Sequence, residues 1–329
     1  LASFLGASFL SRLGYKKAML TALAIVFGSC LLMIFGNSFG YTKILFMSIG
    51  VSFALIKLSV YSLIGIITDS KKEHSSLMSS IEGFFMVGIA LAYFLFPAFY
   101  SDTDENSWLN VYYVLMVFIA LSFLFLLFSK VEYEVEAIGS NLKEDLLQSL
   151  KLIVIPLVLV FLASAFFFVM IEQGIMTWLP RFNEKIFSFS DVLATQMAVI
   201  FALSLALGRF VAGYLTKQMS WVFLVVVCVV ISGGILLAVL PQLKVDVQAM
   251  NEISSLSDVP MLGFILPLIG LFIAPIYPLL NSTVLSSLPK SLHSPMSGLI
   301  IIFSALGGTL GSRIVGELFE SIGGANAFY

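Results

Sequence analysis

The chain has 329 residues, 60% of them apolar and only 11% charged, with a mean hydropathy of +1.06 and a formal net charge of −2. Water-soluble domains carry about 45–50% apolar and about 25% charged residues, so this composition excludes a soluble enzyme and predicts a polytopic membrane protein. The charge balance offers no basic face for nucleic acid, and Cys30 and Cys228 each lie inside an apolar run, which predicts no disulfide framework.

A membrane span takes about 20 apolar residues. An apolar tail ends at Arg12, and spans are predicted near 18–36, 43–68, 76–99 and 109–130. After a polar segment come spans near 151–178, 190–216, 219–240, 260–287 and 294–318. With the tail, this makes about ten helices. Lys and Arg set the orientation. Arg12, Lys16, Lys17, Lys71, Lys72, Lys130, Lys143, Lys151, Lys217 and Lys290 fall in alternate loops, against Lys43, Arg181, Lys185 and Lys244 in the others. The first set is therefore predicted to be cytoplasmic. The chain opens on Leu1 inside an apolar run and closes on Phe328-Tyr329 just past Gly323-Gly324. Neither end reads as a natural terminus, so the expectation is a piece lacking at least one helix at each end.

Residues 131–150 are charged and polar and read as a solvated cytoplasmic linker, with a short amphipathic helix from Asn141 to Leu150. The linker divides the chain into a bundle over 1–130 and a bundle over 151–329. The two parts echo each other. Lys72-Glu73-His74-Ser75 leads to Met78-Ser79-Ser80-Ile81 and Phe85, and Lys290-Ser291-Leu292-His293-Ser294 leads to Met296-Ser297-Gly298-Leu299 and Phe303. Each copy then runs into small residues, Gly88 in one and Gly307-Gly308 in the other. His74 and His293 are read as residues of short polar loops. With no His/Cys/Glu cluster at metal-ligand spacing and no placed general base, no metal, cofactor or catalytic residue is expected.

Parallel halves joined by a cytoplasmic loop resemble the major facilitator transporters. Gly6-Ala7-Ser8-Phe9-Leu10-Ser11-Arg12-Leu13-Gly14-Tyr15-Lys16-Lys17 is similar to that superfamily's loop between its second and third helices, with Ser11 where the pattern has an acid. A weaker copy runs from Gly208-Arg209 through Gly213-Tyr214-Leu215-Thr216-Lys217. Within the superfamily, Glu172 followed by Trp178, and Ile276-Tyr277-Pro278 with Ser297-Gly298-Leu299 through Gly307-Gly308, resemble the fucose-permease-like sugar:proton symporters. The resemblance implies an all-α membrane protein of two six-helix bundles related by a pseudo-two-fold repeat, of which this chain covers the second to eleventh of twelve helices. It also implies a monomer in a bacterial inner membrane, whose partners are the bilayer, a small polar solute and protons. Arg12, Gly14 and Arg209 become gating or structural positions, and Arg209 is read as a latch or a lipid-headgroup contact.

A charge near the bilayer centre costs at least about 2.5–3.5 kcal/mol and needs a reason. Lys57 falls close to the middle of its span, where the resembled branch carries a proton-coupling acid. It could bind a carboxylate or phosphate, or pair with an acid on a missing helix. Glu172 and Arg313 are placed in the outer thirds of their helices, where they could pair with each other, or Glu172 could carry the coupled proton. Glu82, about two turns into its helix, is expected to contact substrate or brace the cytoplasmic gate. Pro275 and Pro278 free backbone carbonyls at a bending point, and Asn281 could donate to a hydroxylated solute or satisfy such a carbonyl. Tyr61, Phe84 and Trp178 could stack on a sugar ring, while Gly307 and Gly311 predict close helix packing.

Two pattern matches carry no chemistry. Gly36-Asn37-Ser38-Phe39-Gly40 fits a hydrolase elbow but lacks the strand and the histidine, and the sequon Asn281-Ser282-Thr283 lies in a span. The expected function is alternating-access transport of a sugar or related polar metabolite, coupled to protons. The alternatives are transport of an organic anion by a uniporter, exchanger or exporter, and a non-transporting receptor of the same fold. The Gly-x-x-x-Gly-Pro signature of drug antiporters is missing from residues 83–97, which disfavours an exporter.

Overall fold

A computed structural model describes residues 10, 13–36, 38–101, 103–104, 106–130, 142–244 and 253–327. In chain order the helices are α1 (Tyr15–Phe35), α2 (Phe39–Ile67), α3 (Lys71–Leu95), α4 (Val111–Phe128), α5 (Leu142–Ile153) and α6 (Pro156–Phe187). They continue with α7 (Asp191–Leu215), α8 (Trp221–Val239), α9 (Met261–Ile273), α10 (Ile276–Leu285), α11 (His293–Ile322) and the short α12 (Gly324–Ala327). Among the described residues there is no β-strand, only two isolated bridges, and nine helical stretches are long and apolar enough to cross a membrane. One of these nine is α9 and α10 taken together.

The helix ends follow from local chemistry. Gly14 precedes α1 at φ 76, a left-handed conformation that glycine adopts without Cβ strain. This accounts for a glycine at that point of the loop motif. Arg12 and Ser11 of the same motif lie outside the described residues. Ser70, Ser190 and Ser220 cap α3, α7 and α8, each hydroxyl accepting from the backbone N–H three residues on. Pro156 opens α6, where a missing N–H costs nothing, and so separates that span from the amphipathic α5. The expected span 151–178 is thus displaced to Pro156–Phe187. Its extension beyond Trp178 moves Glu172 from the outer third to the middle of its helix. The span expected over 260–287 is interrupted at Ala274-Pro275, because Pro275 has no N–H to continue the ladder; Pro278 sits in the first turn of α10, where it is tolerated.

By contacts the chain forms two units. The first takes 1–69, 95–162 and 285–302. In it α1 packs along α2 and α4, with one cluster around Leu10, Tyr15, Ala18, Met19, Leu58 and Ile301 and another around Cys30, Met33, Leu45, Val111 and Tyr112. Ser52 of α2 donates to the Ala22 carbonyl of α1 at 2.9 Å, and Lys16 donates to the Ser129 carbonyl at the end of α4 at 2.6 Å. On α4 only Val111 and Tyr112 are buried, so its remaining apolar surface is what lipid would cover.

The second unit takes 70–94, 163–284 and 303–329. Its centre is α7, which is enclosed along more than half its length. Small residues allow the close approaches. Gly208 of α7 faces the Leu271 carbonyl of α9, and Gly213 faces the Ser76 carbonyl of α3. The second copy of the loop motif is therefore helical through Leu215, and its glycines serve packing instead of a turn. On α11, Gly307 and Gly311 lie against the carbonyls of Phe166 and Met170 on α6, so a Cβ at either position would meet backbone oxygen. The predicted close packing at these two glycines is present.

Candidate functional site

Three of the predicted intramembrane charges come together in the second unit. Glu82 stands near the middle of α3, Glu172 near the middle of α6, and Arg209 in the later part of α7. The Arg209 guanidinium donates through one terminal nitrogen to the Glu82 carboxylate and to the Glu82 carbonyl, each at 3.1 Å. Its other terminal nitrogen donates to Glu172 Oε1 at 2.5 Å. Arg209 is 0% exposed, Glu82 3% and Glu172 4%. A fork of fixed N–H donors suits this bridging role, since one guanidinium can engage two carboxylates that a lysine could not hold at defined angles. The lipid-headgroup reading of Arg209 fails because no part of the residue reaches the surface.

Of the two readings of Glu172, the pairing with Arg313 is not formed. Arg313 is exposed on α11 and donates through Nε to Glu317 one turn on at 2.9 Å, an i,i+4 pair along one helix face. Glu172 turns instead toward α7, where burial makes an oppositely charged partner worth far more than it is on an open helix face.

Lys57 belongs to the first unit. It is half-buried on α2, and its ammonium lies 5.3 Å from the ring centres of both Phe53 and Tyr61, one turn before and one turn after it. Both distances are within cation–π range, so the aromatic rings share the stabilisation of this charge. Tyr61 is 1% exposed, and its ring serves the lysine from within the helix packing.

The remaining candidates occupy defined places in the second unit. Trp178 donates its indole N–H to the Ser312 carbonyl at 2.6 Å, stacks on Phe319 at 5.7 Å, and lies over Gly316, where a Cβ would meet the ring. It is thus an anchor between α6 and α11. Asn281 on α10 is fully enclosed. Beside it, Ser282 Oγ lies 2.7 Å from His74 Nδ1 and 2.8 Å from Ser75 Oγ, which joins α10 to the start of α3. Phe84 is 69% exposed and meets Phe210 edge to face at 5.0 Å.

The family model for the Major Facilitator Superfamily matches residues 1–312. The chain belongs to the major facilitator superfamily. Solved superfamily structures share its fold. An outward-conformation structure of the transporter FucP aligns at TM-score 0.75 and 13% identity, covering 99% of this chain and 82% of that one. A variant of the E. coli fucose:proton symporter FucP aligns at TM-score 0.74 and 14% identity, covering 100% and 83%. The human organic anion transporter MFSD10 aligns at TM-score 0.74 and 18% identity, covering 99% and 76%. No curated protein matches the sequence. The superfamily assignment makes this chain an integral membrane transporter and not an enzyme.

Sequence reasoning missed the role of both histidines. They are 2% and 4% exposed helix-start residues and not loop side chains. His293 packs its ring against Gly65 at the end of α2 and places Nε2 3.1 Å from the Leu288 carbonyl. The signal was present in the repeat itself: each histidine is followed by a buried serine, Ser75 or Ser294, and then by a buried methionine, Met78 or Met296, with a slip of one residue between the copies. Among the described residues, no group of three or more His, Cys, Asp or Glu could hold a metal ion.

Proposed function

We propose that this protein is a secondary transporter of the superfamily that moves a small polar solute by alternating access and couples it to protons through the Glu82–Arg209–Glu172 triad. The observation that carries the reading is the composition of that triad. Two carboxylates on one guanidinium leave one net negative charge if all three are ionised, and a proton on either carboxylate brings the group to neutrality. In a medium where an uncompensated charge costs several kcal/mol, taking up and releasing one proton is the least costly way to change such a cluster. Protonating Glu172 or Glu82 removes one of the two ionic bonds to Arg209. The helix carrying Glu82 comes from before the polar linker, and the helices carrying Glu172 and Arg209 come from after it. Weakening the triad therefore frees α3 from α6 and α7, the motion needed if the bundles 1–130 and 151–329 rock as two pseudo-symmetric halves.

A sugar or a related hydroxylated metabolite is the favoured solute. The resemblance of Glu172 with Trp178 to the fucose-permease-like branch supports it, as does the fold shared with FucP. Lys57 favours a second reading, an organic anion, since a half-buried ammonium framed by two aromatic rings matches a carboxylate with an apolar body. The same fold is shared with the organic anion transporter MFSD10. The positive-inside pattern supports a cytoplasmic 131–150 linker, and the family resemblance supports a bacterial inner membrane.

The deciding experiment has two stages. A thermal-shift screen of sugars against organic anions on the full-length protein selects the solute, and proteoliposomes then report its uptake under an imposed pH gradient. Accumulation above the outside concentration that collapses with a protonophore is expected. Uptake indifferent to the gradient would leave a facilitator, and stabilisation by a ligand that never crosses the membrane would leave a receptor.

A further inference from the structure

We propose that the cleft at the start of α3, between Lys72 and Lys217, is a binding site for the phosphate group of a membrane lipid, separate from the transported solute. The cleft encloses about 480 Å³ and is lined by Ser70, Lys72, Glu73, Ser76, Leu77, Ser80 and Lys217. These residues follow one face of α3 from its capping serine inward and meet the chain just beyond α7. Beside the cleft α3 and α7 touch through small residues, with Gly213 against the Ser76 carbonyl and the Ser79 and Ser80 side chains.

Its chemistry is that of an oxyanion site with a second, opposite recognition element. Lys72 gives one ammonium proton to the Lys217 backbone carbonyl at 3.1 Å, and both residues line the same opening. An ammonium has three donors, so this bond positions Lys72 without exhausting it. The first turn of α3 adds its partial positive charge, with the Glu73 N–H already engaged by Ser70 Oγ. The Ser76 and Ser80 side chains supply hydroxyls along the wall; Ser80 donates to the Ser76 carbonyl at 2.9 Å and keeps its lone pairs. Glu73 opposes a bare, multiply charged anion and suits a ligand that carries a hydroxyl or ammonium beside its phosphate. Leu77 offers an apolar floor, and the cleft is far larger than one inorganic phosphate requires. Lys72 lies in the first turn of α3 and Lys217 just past the end of α7, so both stand at the ends of membrane spans, the level at which headgroup phosphates lie.

Free phosphate shares the oxyanion chemistry, so the test separates the two sources. Full-length protein, stripped of lipid in detergent, is titrated with dihexanoyl phosphatidylglycerol and, in a second arm, with inorganic phosphate, and occupancy is read by native mass spectrometry. A membrane-surface lysine contributes roughly fivefold to such binding, so the double variant Lys72→Ala/Lys217→Ala should bind the lipid roughly 25-fold more weakly. Lys43→Ala, at the opposite end of the spans, should bind as the parent does. Inorganic phosphate that competes for the lysine-dependent site would show that the phosphate group alone is recognised. A double variant that retains parental affinity for the lipid, or a parent that binds neither probe, overturns the proposal.

Discussion

Arg209 is the residue on which most depends. Removing its side chain leaves two carboxylates enclosed at 3% and 4% exposure, with the guanidinium that bridges them gone. Breaking a buried ion pair from one side costs about 3–5 kcal/mol, because the desolvated partner stays behind. Arg209→Ala should therefore lower the melting temperature in detergent and abolish transport. Glu172→Gln should be milder for folding, since the amide oxygen still accepts from the guanidinium and Glu82 still balances the charge. The triad of this variant is neutral with no proton to take up. It is expected to keep solute exchange and lose gradient-driven accumulation; wild-type accumulation in Glu172→Gln would remove the triad from coupling. Lys57→Ala separates the two solute readings. It should abolish uptake of an organic anion while a neutral sugar still binds, as read by the same thermal shift with each solute.

At the scale of helices, composition and periodicity located every span to within a few residues at one end or the other. The errors have one physical origin. Polarity marks where a helix leaves lipid but not where its backbone stops hydrogen bonding, so α6 continues through Pro180 and Arg181 to Phe187, and α3 begins at Lys71. Those shifts were enough to misplace Glu172 and to pair it with Arg313. Each charge that must be accounted for in the membrane was legible in the sequence; the choice of partner was not, because that depends on which helix faces converge. Glycines were legible as packing positions for the converse reason, since a missing side chain has few other uses in a span. Gly311 can be tested directly. Gly311→Leu would drive a side chain into the Met170 carbonyl and push α11 from α6, and should prevent accumulation of folded protein in the membrane. Gly65→Ala tests the histidine contact in the other unit. Its methyl would strike the His293 ring, and His293→Ala placed in the same chain should restore the lost thermal stability. Failure of the second substitution to rescue the first would mean that Gly65 is required by its backbone alone.

For the whole molecule, the question is whether α3 parts from α7 during transport. The triad is one tie between them, and the small-residue crossing is another. A Cβ built on Gly213 would lie 3.4 Å from the Ser79 Cβ, close to the 3.5–4.5 Å separation that disulfides span. A Ser79→Cys/Gly213→Cys pair, with the buried Cys30 and Cys228 replaced by serine, should therefore oxidise readily in a state with these helices in contact. If alternating access separates them, the oxidised protein binds solute from one side only, its uptake stops, and reductant restores it. Neither the solute nor the coupling ion enters that logic, so the experiment isolates the motion from the chemistry. Full transport through the oxidised pair would mean that α3 travels with α7, and that the halves move apart along a different set of helices. The ion triad would then be a fixed brace within one moving body, and the proton-coupled step would have to be sought at Lys57 and the helices that face it.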